Sequence, residues 1–472
     1  MRIIKTFCFL LLVLQLNAQE PFPKKNLDYV ISQLVIKYKI PNVSIAITNK
    51  ERVIYSLTTL NTGIDTLFLI GSNTKSFTAL AILQLVDSGL VNLDKPVSFY
   101  LPDFSFLNEA ADKKITVRHL LNQTSGLPQS GGFYENLTSD SAVFQKAFTT
   151  YLKTLYPKNS IGEAFEYCNS NYVLLGLIIQ KASKKSYSHY AKEYIFKPLN
   201  MTHSYANYDS TIARGLIEGY QYAYLLPEKS PTKPYSNFNV AEGKIASTAN
   251  DLCAYLRAIL PDTSEKHKQD TVIKVLNIST KLYQEWLNPV KDDYAMGWGE
   301  THYFGQKVIQ HLGLNENFNA ALFFMPQQLY GVAVLGNTNS LEFNKEVKEA
   351  IILTLLNKPY TERFSIELIQ RAATGVLVLW TFVCVLYQLN GWRLRKFRLG
   401  LPPFGSFVRC LFGIGLSVAP VLVLPKMFNI PIEAMMRHQP DFAYGFIGIA
   451  AFGVLASLLR LCKKSGRDVA EA

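Results

Sequence analysis

Cysteine is scarce in this chain and stands in poor places for building. Of six cysteines, Cys8 lies in an N-terminal apolar run, and Cys384, Cys410 and Cys462 lie in or beside apolar runs near the other end. Only Cys168 and Cys253 remain between them. This distribution excludes a disulfide-stapled scaffold, and no pair has metal-ligand spacing. Two buried thiols are expected at Cys168 and Cys253, with a single bridge between them as the alternative. No metal and no cofactor is expected. Internal repeats and low-complexity segments are also missing, which excludes solenoids and long biased linkers. A phosphate loop is missing too. The stretch LIGSNTKSF holds a Lys-Ser pair, but such a loop needs glycine six residues and one residue before its lysine. Those places hold Leu69 and Thr74.

Positive charge is present, +12 over 472 residues, but little of it lies where a polynucleotide would need it. Residues 359–472 hold 13 Lys and Arg against 6 Asp and Glu, and Arg2 and Lys5 add two more, leaving about +3 for the rest. The basicity follows the apolar ends, so no nucleic-acid partner is expected.

Apolar length is what the ends do have. MRIIKTFCFLLLVLQLNAQE combines Arg2 and Lys5, an apolar run and small Ala18, the pattern of a secretory signal peptide over residues 1–18. Stretches 372–389, 404–425 and 442–459 are each roughly long enough for a ~30 Å hydrocarbon core, the middle one being short and interrupted by Pro420. Arg393, Arg395, Lys396 and Arg398 follow the first stretch, and Arg460, Lys463, Lys464 and Arg467 follow the third. The loop from Met427 to Asp441 has only Arg437, set against Glu433 and Asp441. The positive-inside rule then places the basic loop and the tail at 460–472 in the cytoplasm. A multi-pass protein of the cytoplasmic membrane is expected, with residues 22–358 on the extracytoplasmic (periplasmic) side and a linker over 359–371. No convincing charge pair is visible within the apolar stretches, so the membrane part is expected only to anchor.

In the middle, NVSIAIT and RVIYSLTT flank a polar turn at Asn49–Glu51 and predict a hairpin. Ser72 to Asp87 reads as a buried helix ended by Ser88-Gly89. KVIQHLG, FNAALFFMP and YGVAVLGN are three further strands, and LEFNKEVKEAIILTLLNK is an amphipathic helix. The fold class is α+β, an antiparallel sheet flanked by helices with an inserted helical region, followed by an all-α transmembrane region.

The most informative spacing is Ser72-x-x-Lys75. Residues three apart share a helix face with Cβ atoms ~5 to 6 Å apart, so the amine can reach the hydroxyl. Alone, the pair would more often be a capping serine with a solvated lysine. It has company: Tyr167-Cys168-Asn169 supplies a phenol and a carboxamide, and His311-Leu312-Gly313 ends a predicted strand. In order and wide spacing these resemble the three motifs of the serine β-lactamase and penicillin-binding protein superfamily. Tyr-x-Asn is similar to the class C branch with its DD-peptidase and esterase relatives. SGLVNLDKPVSFYLP, ITVRHLLNQTSGLP, YIFKPLNMTHS and IASTANDLCAYL also look like recurring family segments, so the resemblance covers roughly residues 25–355.

The resemblance implies a role for each position. Ser72 matches the nucleophile and Lys75 its base, a role that requires the neutral amine. Tyr167 matches the residue that passes protons to the leaving group and helps activate the deacylating water. Asn169 would hold Lys75 and the substrate amide, His311 and Gly313 would line the far wall, and the amides of Ser72 and Leu314 would form the oxyanion hole. Arg118 and His119 lie in a segment read as structural, outside any dyad with Ser72. Three departures from the family pattern stand out: His311-Leu312 where Lys-Thr is frequent, Asn317 where a later glycine is frequent, and Glu242-Gly243-Lys244 where Gly-Gly is usual. Asn317 is expected to tolerate left-handed backbone.

The implied protein is an exported, membrane-anchored serine hydrolase acting through an acyl-enzyme on a small-molecule or peptide-like ester or amide. Esterase or D-amino-acid and cell-wall peptidase activity fits, with weak β-lactamase activity at most; the oligomeric state is left open. The alternative is a non-hydrolytic penicillin-binding-type sensor coupled to the transmembrane helices. The presence of Ser72, Lys75 and Tyr167 together favours turnover, because a pure binder has no physical need for all three.

Overall fold

The computed structural model describes residues 22–59, 62–104, 113–129, 140–261, 275–393, 404–427, 435–436 and 439–459. The expected signal peptide, the basic residues at 395–398 and the tail at 460–472 lie outside the described residues.

β1 (Val43–Thr48) and β2 (Val53–Thr58) form the expected hairpin. Asn49 closes it, its Oδ1 accepting from the amides of Glu51 and Arg52 at 2.9 and 2.8 Å, the local bond that favours asparagine in turns. Five later strands complete the sheet: β7 (Tyr294–Ala295), β8 (Trp298–Tyr303), β9 (Gln306–Leu314), β10 (Asn319–Met325) and β11 (Tyr330–Gly336). The order is β2-β1-β11-β10-β9-β8-β7, with every neighbouring pair antiparallel. The end of the domain thus pairs with its beginning, Val43 opposite Gly336 and Thr48 opposite Gly331. β7 and β8 were not legible: one is two residues long and the other, WGETHY, is largely polar.

Both faces of the central strands are covered, and the two-residue period divides their side chains between two cores. Ile45, Ile47, Phe323 and Val334 pack against Leu27, Ile31 and Leu34 of α1 (Lys24–Lys37) and Phe343, Val347 and Ile351 of α7 (Leu341–Leu355). Ala46, Leu322, Phe324 and Leu335 meet the helical region. There α2 (Thr74–Asp87) is buried along nearly its whole length, with α4 (Asn169–Ser183) and α6 (Ala249–Ile259) around it. Each such fully buried Phe or Leu contributes about 1.5–3 kcal/mol relative to exposure. Two short pairings bear on the site. β3 (Phe68–Leu69) pairs with β6 (Ala246–Ser247), tying the approach to Ser72 to the IASTAN segment, and β4 (Tyr220–Ala223) pairs with β5 (Leu226–Lys229).

After the domain come α8 (Ile366–Arg393), α9 (Phe404–Met427) and α10 (Pro440–Leu459). Among the described residues two helical segments, Ile366–Tyr387 and Pro440–Leu459, are long and apolar enough to cross a membrane; the apolar part of α9, Phe407–Ala419, is shorter. α8 begins at Ile366, inside the expected linker. A buried charge cluster stands just ahead of the expected apolar stretches, with Arg371 and Asp441 one residue before 372–389 and 442–459. Arg371, 1% exposed, bonds Glu367 at 2.9 Å and Asp441 at the start of α10, with the ring of Tyr222 at 4.5 Å from its guanidinium. Glu367 and Asp441 are buried with it, so removing one partner would strand a buried charge.

Candidate active site

Beyond β3 the chain makes one 3-10 turn over Gly71–Asn73, and α2 starts at Thr74. Ser72 therefore precedes the helix and does not cap it; the cap residue is Asn73, without a side-chain cap bond. Lys75 is fully buried, which overturns the alternative of a capping serine with a solvated lysine. Its Nζ lies 3.1 Å from Ser72 Oγ, 2.8 Å from Asn169 Oδ1 and 2.6 Å from the carbonyl oxygen of Glu242. As an ammonium it donates to all three oxygens. As a neutral base it accepts from Ser72, and the contact that reverses is the one to the nucleophile. The ring centroids of Tyr167 and Tyr172 lie 5.0 and 5.5 Å from Nζ. Asn169 is the first residue of α4, so one helix start fixes the lysine and positions the YCN segment beside it.

The opposite wall is the end of β9. Gly71 has φ +56°, and a Cβ there would collide with the amide of Leu314; a Cβ on Gly313 would collide with the carbonyl of Ile70. Glycine is required on both sides because two backbones meet without room for a side chain. This contact brings the turn carrying Ser72 against the Gly313–Leu314 peptide. Asn344 of α7 steadies the strand, donating to the carbonyl oxygens of Gly313 and Ala320 at 3.0 Å each. His311 is 8% exposed and packs against the rings of Tyr167 and Tyr294. Its Nδ1 lies 2.8 Å from Leu312 O. A carbonyl can only accept, so Nδ1 carries the proton and Nε2 keeps a lone pair. Burial, reinforced by the Lys75 charge and opposed by the Leu312 hydrogen bond, pushes the His311 pKa down to about 3.

All the positions expected from the sequence thus converge: Ser72, Lys75, Tyr167, Asn169, His311, Gly313 and Leu314. Two residues seen in the sequence only as departures also belong here. Glu242 lies in α5 (Val240–Gly243) with its carboxylate 4.0 Å from Lys75 Nζ, and Lys244 Nζ reaches Asn315 Oδ1 at 3.2 Å. The expectation for Asn317 is corrected: it is not among the residues with positive φ. It serves through its amide, donating to Ser230 O at 2.6 Å and Thr232 Oγ1 at 3.1 Å. His119 stays outside the site, its Nδ1 accepting from the Thr116 amide in a capping box, and Arg118 pairs with Asp94 and Glu285. Cys168 and Cys253 are buried free thiols, and burial pushes the Cys168 pKa up to about 11.

Comparison with known proteins identifies the family and the fold. The family model described as Beta-lactamase matches residues 27–356. Protein flp of Staphylococcus aureus strain MRSA252 is 29% identical, covering 92% of this chain and 90% of that protein, an extent that runs into the C-terminal helices. Among solved structures, the octameric penicillin-binding protein homologue from Pyrococcus abyssi has a TM-score of 0.58 and 27% identity, covering 70% of this chain and 77% of that one. A class C β-lactamase has a TM-score of 0.58 at 20% identity, covering 74% and 99% respectively, and shares the fold.

Proposed function

The chain belongs to the Beta-lactamase family, a family of serine hydrolases, and from that premise we propose that it is an exported, membrane-anchored hydrolase that works through an acyl-enzyme. Ser72 Oγ attacks a carbonyl carbon while Lys75 takes its proton, and the amides of Ser72 and Leu314 hold the oxyanion. Collapse expels the leaving group, protonated through Tyr167. Water then attacks the ester on Ser72, giving a proton to Tyr167, while Lys75 returns its proton to the departing Ser72 Oγ and the acid is released. Asn169 keeps Lys75 in register. The observation that carries this reading is the fully buried Lys75 amine at 3.1 Å from a serine hydroxyl that caps nothing. The signal-like N-terminus and the loop charges support export, and the two long apolar helices support the anchor.

For the substrate we propose an ester or amide, small or peptide-like, without a carboxylate at the position facing His311. A neutral imidazole offers no charge there, and Leu312, across from Ala321, lies on the other face of β9, so β-lactam turnover is weak at most. A fluorophosphonate label, mapped by mass spectrometry in wild type and Ser72→Ala, tests the assignment. Labelling should vanish with Ser72; label that persists elsewhere, with activity retained, overturns it.

A further inference from the structure

The β4–β5 hairpin joins the site to the start of the apolar helices. Its register pairs Tyr220 with Lys229 and Ala223 with Leu226, leaving a two-residue turn at Tyr224-Leu225. Tyr224 takes φ +58°, the left-handed conformation that a two-residue hairpin turn requires. Its ring is held against Gly375 of α8, 3.3 Å from where a Cβ would stand, and its hydroxyl lies 3.8 Å from the equivalent point on Gly445 of α10. Tyr222, two residues back, carries the Arg371 guanidinium that ties α8 to α10.

The domain exposes apolar side chains at the hairpin tip and at the start of α8. Leu225 and Leu226 at the hairpin tip are 37% and 61% exposed; Phe364, Ile366 and Ile369 at the start of α8 are 95%, 63% and 56% exposed. A lysine stands with them, Lys39 donating to Leu225 O at 3.2 Å. Apolar and aromatic residues beside a cation suit the headgroup boundary of a bilayer.

The other end of the hairpin is fastened to the site. Tyr220 N donates to Asn337 O at 2.9 Å, Gln221 Nε2 to Glu316 O at 2.8 Å, and Asn317 Nδ2 to Ser230 O at 2.6 Å. Glu316 and Asn317 follow Leu314 by two and three residues. A four-residue strand rises ~13 Å, so the hairpin sets a short spacing between its tip and the β9 wall.

We propose that this tip rests on the outer leaflet and holds the site a hairpin's length above it, so that the substrates are esters or amides carried on polar chains anchored in that leaflet. The proposal rests on the anchored-hydrolase reading above. A donor fixed in the membrane plane, with its scissile bond at that height, meets the site at high effective concentration; a soluble donor gains nothing from the arrangement.

The test uses the full chain reconstituted in lipid vesicles and two probes: a short-chain aryl ester in solution, and the same ester joined to phosphatidylethanolamine through a polar linker of about 15 Å. The anchored ester should be turned over about tenfold faster at equal bulk concentration. A Leu225→Glu/Leu226→Glu variant should lose most of that advantage while keeping its rate on the soluble ester, which also reports that it has folded. Equal rates on both probes, or an equal loss on both in the variant, would overturn the proposal. Two other failures belong to the underlying reading and take the proposal down with it. If neither ester is turned over and Ser72 is unlabelled, the hydrolase assignment falls. If the protein does not float with vesicles, the anchor falls.

Discussion

On the helical side of the site, the Lys75 amine is surrounded by the oxygens of Ser72, Asn169 and Glu242, two tyrosine rings and a carboxylate at 4.0 Å. On the β9 side, His311 is neutral, and contact with the nucleophile turn is made by backbone at Gly71 and Gly313. One wall is built around a hydrogen-bonded amine; the other is uncharged and defined by the space it leaves. The first arrangement suits acyl transfer to and from a serine whatever the acyl group. The second decides which acyl group enters.

If that division is right, damage to the helical wall stops the chemistry for every substrate. Ser72→Ala should abolish covalent labelling, and Lys75→Ala and Tyr167→Phe should each slow acylation or deacylation by about 10² to 10⁴. Single-turnover kinetics on an aryl ester measures this, and near-wild-type rates in either of the last two would remove that residue from the mechanism. Because Ser72 caps no helix, its replacement should leave the melting temperature almost unchanged.

Damage to the other wall should depend on backbone space. Gly313→Ala drives a Cβ into the Ile70 carbonyl, which should cost about 1–3 kcal/mol of stability and, by displacing the Leu314 amide, about 10² to 10³ in kcat. Gly243→Ala is the control, since the nearest atom to its added Cβ is 3.7 Å away; it should remain close to wild type. Two equally tolerated variants would show that the walls do not meet as described.

Rebuilding the charge is the subtler change. His311→Lys restores a cation on the site face of β9, and a charged hydrogen bond contributes ~1.5 to 3 kcal/mol. The kcat/KM for a cephalosporin should rise roughly ten- to a hundredfold, with the rate on a carboxylate-free aryl ester changing little. Efficient cephalosporin hydrolysis by the wild type would show that His311 had been misread.

The two walls were not equally legible. Ser72, Lys75, Tyr167 and Asn169 could be read because spacing and order carry them, and β9 to β11 because their apolar runs end in turn residues. Glu242 could be seen as a departure but not as a neighbour of Lys75, since α5 reaches that amine across 167 residues of chain. Arg371 and Asp441 are 70 residues apart and pair only when α8 and α10 pack. Asn317 shows the limit of reasoning from residue type: tolerance of left-handed backbone was the visible property, and its side-chain donors were the ones used.

The smallest expected effect concerns pH and tests whether the β9 wall is uncharged. His311 titrates at about 3 in the folded protein, below an unfolded value near ~6.5. Between those values the unfolded chain binds a proton that the folded one refuses. The stability that a neutral, buried His311 contributes is therefore complete above ~6.5 and falls as pH drops toward 3, by at most ~1.4 kcal/mol per pH unit. His311→Asn cannot titrate and should lose this part of the slope, so wild type should lose more than the variant between pH 7.5 and pH 4.5 in denaturant midpoints. The kcat/KM for a neutral ester should show no His311 inflection near 6.5, because the imidazole facing Lys75, Tyr167 and Tyr294 is already neutral. Matching slopes, or an inflection near 6.5 that the Asn variant lacks, would mean that His311 carries charge in the folded enzyme, and the uncharged wall would have to be abandoned.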